Sequence, residues 1–503
     1  MKKLLLLVCI VVMPLYSIDF YNYSNVPDRV NVMCNEVFGY CHVNCLTNRT
    51  FFWSRPVYRN IGTQKPLWQD FVFEPCQGFA LQVVPIYQQS THERNLAEYF
   101  LFNDQHNLLI KGDAVIANNP YSRDVRAEWL GLPSNFAGTF SVNPRQKQFG
   151  LWIEGMMPLG NCFGYECLDS FWVGIALPYQ IIENKVTPTQ TPPINPGTTF
   201  PTDAIEALSN PAYLFQKFDG KRKKNGLAEI DLKLGTNLLN RDYFQIGMYS
   251  MLVLAVSGSA DPEFVFDPFL GNNGHFGFGS AVTFKLPLLC DPGCQLFSFF
   301  AYLENIYFFR THQRRTFDLI DRPWSRYLLL NNKEGGVNIP AMNILTRRVR
   351  ARPYNMLDLY TGFNWEISNV QVEVGYGLWA RGREQLKFAD CFPADFGIAG
   401  VGFLSTSSAI PATASRSTIQ QQAPNDVNFR GEPIFVPIAL QDLDIDSGAA
   451  RGALAHRGHV SVGYIYSREF FDILAGLGAF IEGASYYSAL SNWGIWAKIG
   501  ISY

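Results

Sequence analysis

Several groups of residues in this 503-residue chain have types and spacings that could do chemistry. In DLDIDSG, residues 442 to 448, Asp442, Asp444 and Asp446 stand at the alternate spacing of a calcium loop. Ser447 and Ala453 occupy the sixth and twelfth places, where such a loop needs glycine for its turn and glutamate as a bidentate ligand, so at most a looser site remains. His459 and Ser461 lie two apart on one face of an alternating segment, as a base and a nucleophile would. Val460, Val462 and Tyr464 take the opposite face and no third triad member presents itself, so the expectation is that the chain is not an enzyme. Cys34, Cys41, Cys45 and Cys76, with His42, offer zinc donors, yet C-x6-C-x3-C matches no common zinc pattern. Disulfides are expected there instead, with no metal and no cofactor.

Charge supplies two further groups. Between residues 310 and 352, Arg310, Arg314, Arg315, Arg322, Arg326, Arg347, Arg348, Arg350, Arg352 and Lys333 face only Asp318, Asp321 and Glu334. Elsewhere, alternate positions of extended segments carry Glu154, Glu229, Asp231, Glu304, Asp358, Glu366, Glu373 and Glu482 against Lys233, Lys285, Arg381 and Lys498. The elements that hold these positions decide what they do.

Only 17% of residues are charged, 15% are aromatic, and the formal net charge is -2, a balance that favours no nucleic-acid partner. Lys2 and Lys3 precede the apolar run LLLLVCIVVM, and LYS at 15 to 17 supplies a small residue, the layout of a secretory signal cut near Ser17. That run is shorter than the ~20 residues that span a bilayer as a helix, so any membrane crossing must use strands. Alternating runs are frequent: 78 to 88, 149 to 159, 170 to 180, 226 to 238, 243 to 256, 275 to 288, 295 to 309, 355 to 368, 369 to 381, 458 to 467, 470 to 483 and 492 to 503. About twelve strands are expected, or fourteen if AEYFLFNDQHNLLIKG (97 to 112) adds a hairpin to the wall.

The two faces of these runs differ in kind. One reads Ala228, Ile230, Leu232, Leu234; the other reads Glu229, Asp231, Lys233, Gly235. A closed sheet of about twelve strands is wider than the ~8-strand barrel that side chains fill. The bulky face therefore turns outward to lipid and the polar, Gly-rich face lines a lumen. Phe149, Tyr179, Phe276, Tyr466, Trp493 and Tyr503, near strand ends, suit interfacial girdles. Links between runs alternate between short, as in LNRD, LCDPGC and ISNV, and mostly long, as in 89 to 148, 182 to 225, 310 to 354 and 382 to 457. Counted back from the C-terminus, the short links of the first set fall on one rim and the long ones on the other, where only the last, around ASYYSALSN, is short.

The signal-like start, the short-turn and long-loop rhythm and the terminal run NWGIWAKIGISY resemble a Gram-negative outer-membrane β-barrel of the porin-like kind. The likeness covers about residues 77 to 503 and is one of architecture. It implies an all-β, antiparallel up-and-down transmembrane barrel in the bacterial outer membrane, in contact with its lipids and lipopolysaccharide. It also implies that Trp493, Ile495, Ile499, Ile501 and Tyr503 form the terminal signal read by the barrel-assembly machinery. The expected division is a signal peptide at 1 to 17, a Cys-containing periplasmic segment at 18 to 76 and the barrel at 77 to 503. Cys162 with Cys167 and Cys290 with Cys294 would clip two periplasmic turns, while Cys391 stands alone in an outer loop.

Among the long loops, TDAIEALSNPAYLFQKF (202 to 218) predicts a short helix capped near Thr202 or Asp203, of a kind that often folds inward. KFDGKRKK adds a basic cluster, and 404 to 426 reads as a mobile low-complexity stretch. If the Arg-rich loop bends into the lumen, opposite charges face each other across a constriction formed with Glu229, Asp231, Asp358, Glu366, Glu373, Arg381 and Lys498. Otherwise its arginines are solvated or bind lipopolysaccharide phosphates. The expected function is a passive diffusion channel for small hydrophilic solutes or ions. The alternative is a non-conducting structural or adhesive barrel, and a homo-oligomer remains open under either.

Overall fold

A computed structural model of the chain describes residues 49–67, 78–91, 93–102, 105–117, 119–159, 171–218, 220–241, 244–291, 295–333, 338–393, 395–399, 417–421, 435–485 and 488–503. Twelve antiparallel strands among them form one wall: β1 (Ala80–Thr91), β2 (Ala137–Pro158), β3 (Phe171–Gln190), β4 (Glu229–Arg241), β5 (Phe244–Ala255), β6 (Gly277–Asp291), β7 (Gln295–Phe308), β8 (Tyr354–Ile367), β9 (Val370–Arg381), β10 (Ala453–Ser467), β11 (Asp472–Ala484) and β12 (Ser491–Ser502). Each pairs with the next, and β12 pairs back with β1 from Ala80↔Ser502 to Thr91↔Ser491, so the wall is closed. Phe79 and Tyr503 exchange both backbone hydrogen bonds, at 2.7 and 2.8 Å, and extend that seam. Closure removes the sheet edges and satisfies every ladder group internally, as a lipid solvent requires.

Alternation sets the two surfaces. In β12, Trp493, Ile495, Ile499, Ile501 and Tyr503 point outward, while Asn492, Gly494, Trp496, Lys498 and Gly500 are buried inside. Leu477, Ile481 and Ile499 expose 63%, 71% and 64% of their surface, more than a monomer in water tolerates in a contiguous belt. Phe276, Tyr466, Trp493 and Tyr503 are exposed at or near strand ends, where aromatic girdles belong, whereas Phe149 and Tyr179 are exposed within the long β2 and β3 and not at their ends. Links at 242–243, 292–294, 368–369 and 468–471 share one rim with the chain's last strand end and the longer 159–170. The opposite rim carries 92–136, 191–228, 256–276, 309–353, 382–452 and the short 485–490.

Three details differ from the sequence reading. Strands β2 and β3 run 22 and 20 residues, much longer than 149 to 159 and 170 to 180, because their loop-side halves continue into the loop layer, with Phe140, Val142 and Val186 buried in its core and Thr139, Ser141, Asn143 and Arg145 on the opposite face. Segment 97 to 112 adds no wall strands: Glu93–Phe100 is a helix, and Asn107–Lys111 pairs with Ala137–Ser141 in the projecting part of β2. The helix at Ala204–Leu208 is capped as expected, with the Asp203 carboxylate accepting from Glu206 N at 2.9 Å, but Ala204, Ala207 and Leu208 pack into the loop layer rather than the lumen.

That loop layer has its own core. Trp324 packs on Tyr327, Phe218 and Phe102 with ring centroids 4.9, 5.6 and 5.8 Å apart, within a cluster that includes Phe100, Trp129, Leu208, Phe266 and Met342. Such aromatic burial contributes roughly 25 cal/mol per Å² of apolar surface, so the described parts of the long loops form a folded cap. The basic cluster at Lys221–Leu227 is a strand laid on β3, with Lys221 paired to Glu183 at 2.8 Å and Lys224 to Asp267 at 2.7 Å. Ile419, inside the low-complexity stretch, is buried in the same cap.

Candidate functional site: a plugged lumen

Residues 49–67, expected on the periplasmic side ahead of the first strand, run through the lumen. Arg49 N and Thr50 N donate to the carbonyls of Tyr99 and Ser447 in the long loops, at 3.1 and 2.9 Å. Leu67 lies against Gly463 and Gly476, close to the short-turn rim, where the absence of two Cβ atoms makes room for it. The segment therefore descends from the loop mouth into the turn-side half of the barrel. Every residue from Thr50 to Leu67 except the half-buried Arg55 is buried.

Its local structure follows from its sequence. Pro56 and Pro66 lack a donor and oppose a continuous strand. Only one helical turn forms, Ile61–Gln64, with Asn60 as N-cap accepting from Gly62 N at 3.1 Å. An irregular backbone at membrane depth needs partners, and the wall provides them. Gln148 accepts from Val57 N at 2.9 Å and donates to Arg55 O at 3.0 Å; Lys498 Nζ donates to the carbonyls of Gln64 and Pro66, both at 2.6 Å.

The carboxylates placed on the inner face by alternation are all there, and the segment brings their cations. Arg59 Nη2 lies 2.5 Å from Glu229 and 2.7 Å from Asp231, with Glu304 4.0 Å from Nη1. Arg55 meets Glu482 at 2.8 Å. Arg457, on the inner face of β10, joins the same network through Asp358 at 2.6 Å and Glu482 at 2.9 Å, and also donates to Asn60. Lys233 pairs with Glu154 at 2.5 Å and Lys285 with Glu366 at 3.3 Å. Tyr360 donates to Glu373 at 2.6 Å, and Arg381 donates to Trp53 O at 3.4 Å. Arg55, Arg59, Lys65 and Arg457 were missed by the sequence reading. The available signal was charge: the inner face had surplus carboxylates, and 49–67 holds four cations and no acid.

The inner face is also less purely polar than alternation predicted. Trp152, Trp172, Trp379, Phe480 and Trp496 point inward and pack with Val57, Tyr58 and Leu67 of the plug. His459 and Ser461 face inward as expected, the imidazole sitting between Tyr360 and Phe480 at 5.0 and 5.5 Å and directly against Gly62.

The Arg-rich loop does not meet the acidic wall. Arg315 is buried against Glu384 at 3.1 Å and Arg326 against Asp318 at 2.6 Å, both in the cap. Arg347 pairs with Asp390 at 2.8 Å, Arg322 is half-buried, and Arg310, Arg314, Arg348, Arg350, Arg352 and Lys333 are exposed. Cys391 is an exposed free thiol in an outer loop. The expected signal at 1 to 17 and Cys34, Cys41, Cys45, Cys76, Cys162, Cys167 and Cys294 lie outside the described residues, as does the side chain of Cys290.

No family model and no curated protein matches the sequence. Among solved structures, the chain is similar to an outer membrane channel from Pseudomonas putida F1, at TM-score 0.38 and 9% identity, over 85% of this chain and 96% of that one. It is also similar to a Pseudomonas aeruginosa FadL homologue, at TM-score 0.31 and 9% identity over 91% and 98% of the two chains. A third likeness is to the Pseudomonas putida toluene transporter TodX, at TM-score 0.28 and 8% identity over 91% and 96%. The assignment rests on this molecule's own geometry: an even-numbered closed antiparallel wall, an apolar outer belt, aromatic rims, short turns on one side and long loops on the other make it a β-barrel of the bacterial outer-membrane type.

Proposed function

We propose that this chain is an outer-membrane channel for small hydrophilic solutes or ions whose passage is gated by residues 49–67. The observation that carries the reading is a lumen segment held to the wall by ion pairs and side-chain hydrogen bonds, chiefly through Arg55, Arg59 and Lys498. A tube meant to stay dry is built at least cost from apolar side chains, since buried charges cost several kcal/mol each unless well paired. Gln82, Gln148, Gln180, Asp231, Glu373 and Lys498 are groups that water can solvate once the segment leaves. A second reading, a non-conducting structural barrel, draws support from the inward tryptophans that fill space around the plug.

The two separate in a planar bilayer. Glu229→Gln with Asp231→Asn and Glu304→Gln leaves Arg59 without counter-charges and disfavours the plugged state. The intact protein should show rare, brief openings, and the triple variant steady conductance several-fold more often. A triple variant that is folded, by heat-modifiable gel mobility, yet silent would favour the structural barrel. Equal steady conductance in both proteins would remove the gating role of the segment.

A further inference from the structure

Beyond the barrel rim, Thr311–Thr316, Thr346–Arg352 and Gln385–Phe388 form a three-stranded antiparallel sheet. The segments continue from β7, into β8 and out of β9. Alternation gives this sheet two unlike faces. Gln313, Arg315, Val349, Ala351 and Leu386 are buried on one; His312, Arg314, Arg348, Arg350, Arg352 and Lys387 are exposed on the other. Register sets the exposed cations against each other: Arg314 opposes Arg348, and Arg350 lies between His312 and Lys387.

Like charges directly opposite in a sheet are destabilising. On the buried face the chain gives its arginine a partner, Arg315 with Glu384, and at the sheet's edge Asp390 is engaged by Arg347. Among the described residues no carboxylate pairs with Arg314, Arg348, Arg350, Arg352 or Lys387. Asp390 also accepts from Arg348 N at 3.4 Å, but its carboxylate is taken by the Arg347 guanidinium, so among the described residues the exposed cations have no carboxylate of their own.

The level of the face identifies the anion. Arg352 Nε donates to the Tyr307 hydroxyl at 2.9 Å, and its guanidinium carbon stands 4.5 Å from the ring centroid of Tyr354. Tyr307 packs edge-on against exposed Phe309 at 5.5 Å, at the loop-side ends of the strands. The cationic face thus begins where the outer aromatic girdle ends, beside the headgroups of the outer leaflet. Guanidinium forks match phosphate oxygens in a bidentate manner and tolerate close spacing around one dianion.

We propose that this face binds the phosphorylated headgroup of an outer-leaflet glycolipid, the bis-phosphoryl lipid A portion of lipopolysaccharide. The test uses the full refolded chain in detergent, with binding read by native mass spectrometry. Bis-phosphoryl lipid A should bind, its dephosphorylated form about tenfold more weakly, and millimolar inorganic phosphate should not displace it. Arg314→Gln, Arg348→Gln, Arg350→Gln and Lys387→Gln combined should weaken lipid A binding about tenfold or more. These positions are exposed, so in lipid-free detergent the variant should melt no lower than the parent, and lipid A should raise the melting temperature of the parent alone. Equal binding by the variant, or equal binding of the dephosphorylated lipid, would overturn the proposal. Displacement by inorganic phosphate would reassign the face to a free anion and likewise overturn it.

Discussion

Arg59 concentrates the energetics of the lumen in one side chain. Two carboxylates hold it at hydrogen-bond distance and a third stands at 4.0 Å. Removing one side of such a buried pair costs roughly 3–5 kcal/mol, because the remaining charge is stranded, whereas removing both sides costs much less. Arg59→Gln alone and Glu229→Gln with Asp231→Asn should therefore each loosen the segment strongly, and the combination should be milder than their sum. Limited proteolysis within 49–67, read as the fraction of open state, checks this; simple additivity would show that the pairs do not hold the plug. The carboxylates of this network were legible in the sequence because strand period two assigns each residue a face, as at Glu229 and Asp231. Their partners were not, because the segment has no period: its backbone bonds go to wall side chains such as Gln148 and Lys498, and no local pattern announces such a partner.

The wall strands read well from alternation because lipid and lumen are opposite solvents on the two faces of one ribbon. Ile499 stands on the lipid face of β12 between the exposed aromatics Trp493 and Tyr503, flanked by inward Lys498 and Gly500. Ile499→Arg should cost about 2–4 kcal/mol in refolded vesicles, by denaturant titration, as a cation at the bilayer midplane does. A much smaller loss would place this position at the interface and shift the register of the whole barrel in the membrane. Elements outside the membrane gave weaker signals. The projecting halves of β2 and β3 are wet or capped on both faces, so Ser141, Asn143, Arg145 and Lys147 hide the strand. The candidate hairpin at 97 to 112 begins inside the helix Glu93–Phe100, whose Leu96, Ala97, Tyr99 and Phe100 fall on one helical face and are buried.

The whole molecule adds a direction that neither residues nor strands contain alone. Long loops pack into a cap whose aromatic cluster includes Phe52, and Tyr99 donates to Phe51 O at 2.8 Å, so the cap grips the segment at the mouth. The segment then runs down to Leu67, and the chain returns at Ala80 to begin β1 from the turn-side rim. Arg49 therefore lies at the loop mouth, which in an outer-membrane barrel is the face turned to the outside. An epitope tag inserted immediately before Arg49 should be labelled by antibody on intact cells, like one placed in the 382–452 loop. A tag in the turn at 468–471 should be labelled only after the outer membrane is permeabilised. If the tag before Arg49 behaved like the turn tag, the segment would have to enter from the periplasmic side, and the plug would be a different structure in the cell. If all three behaved as expected, opening the channel would require a segment anchored at both ends, by the cap above and β1 below. Gating by a shift within the lumen, through the Arg59 and Lys498 contacts, would then need less rearrangement than ejection of the whole segment.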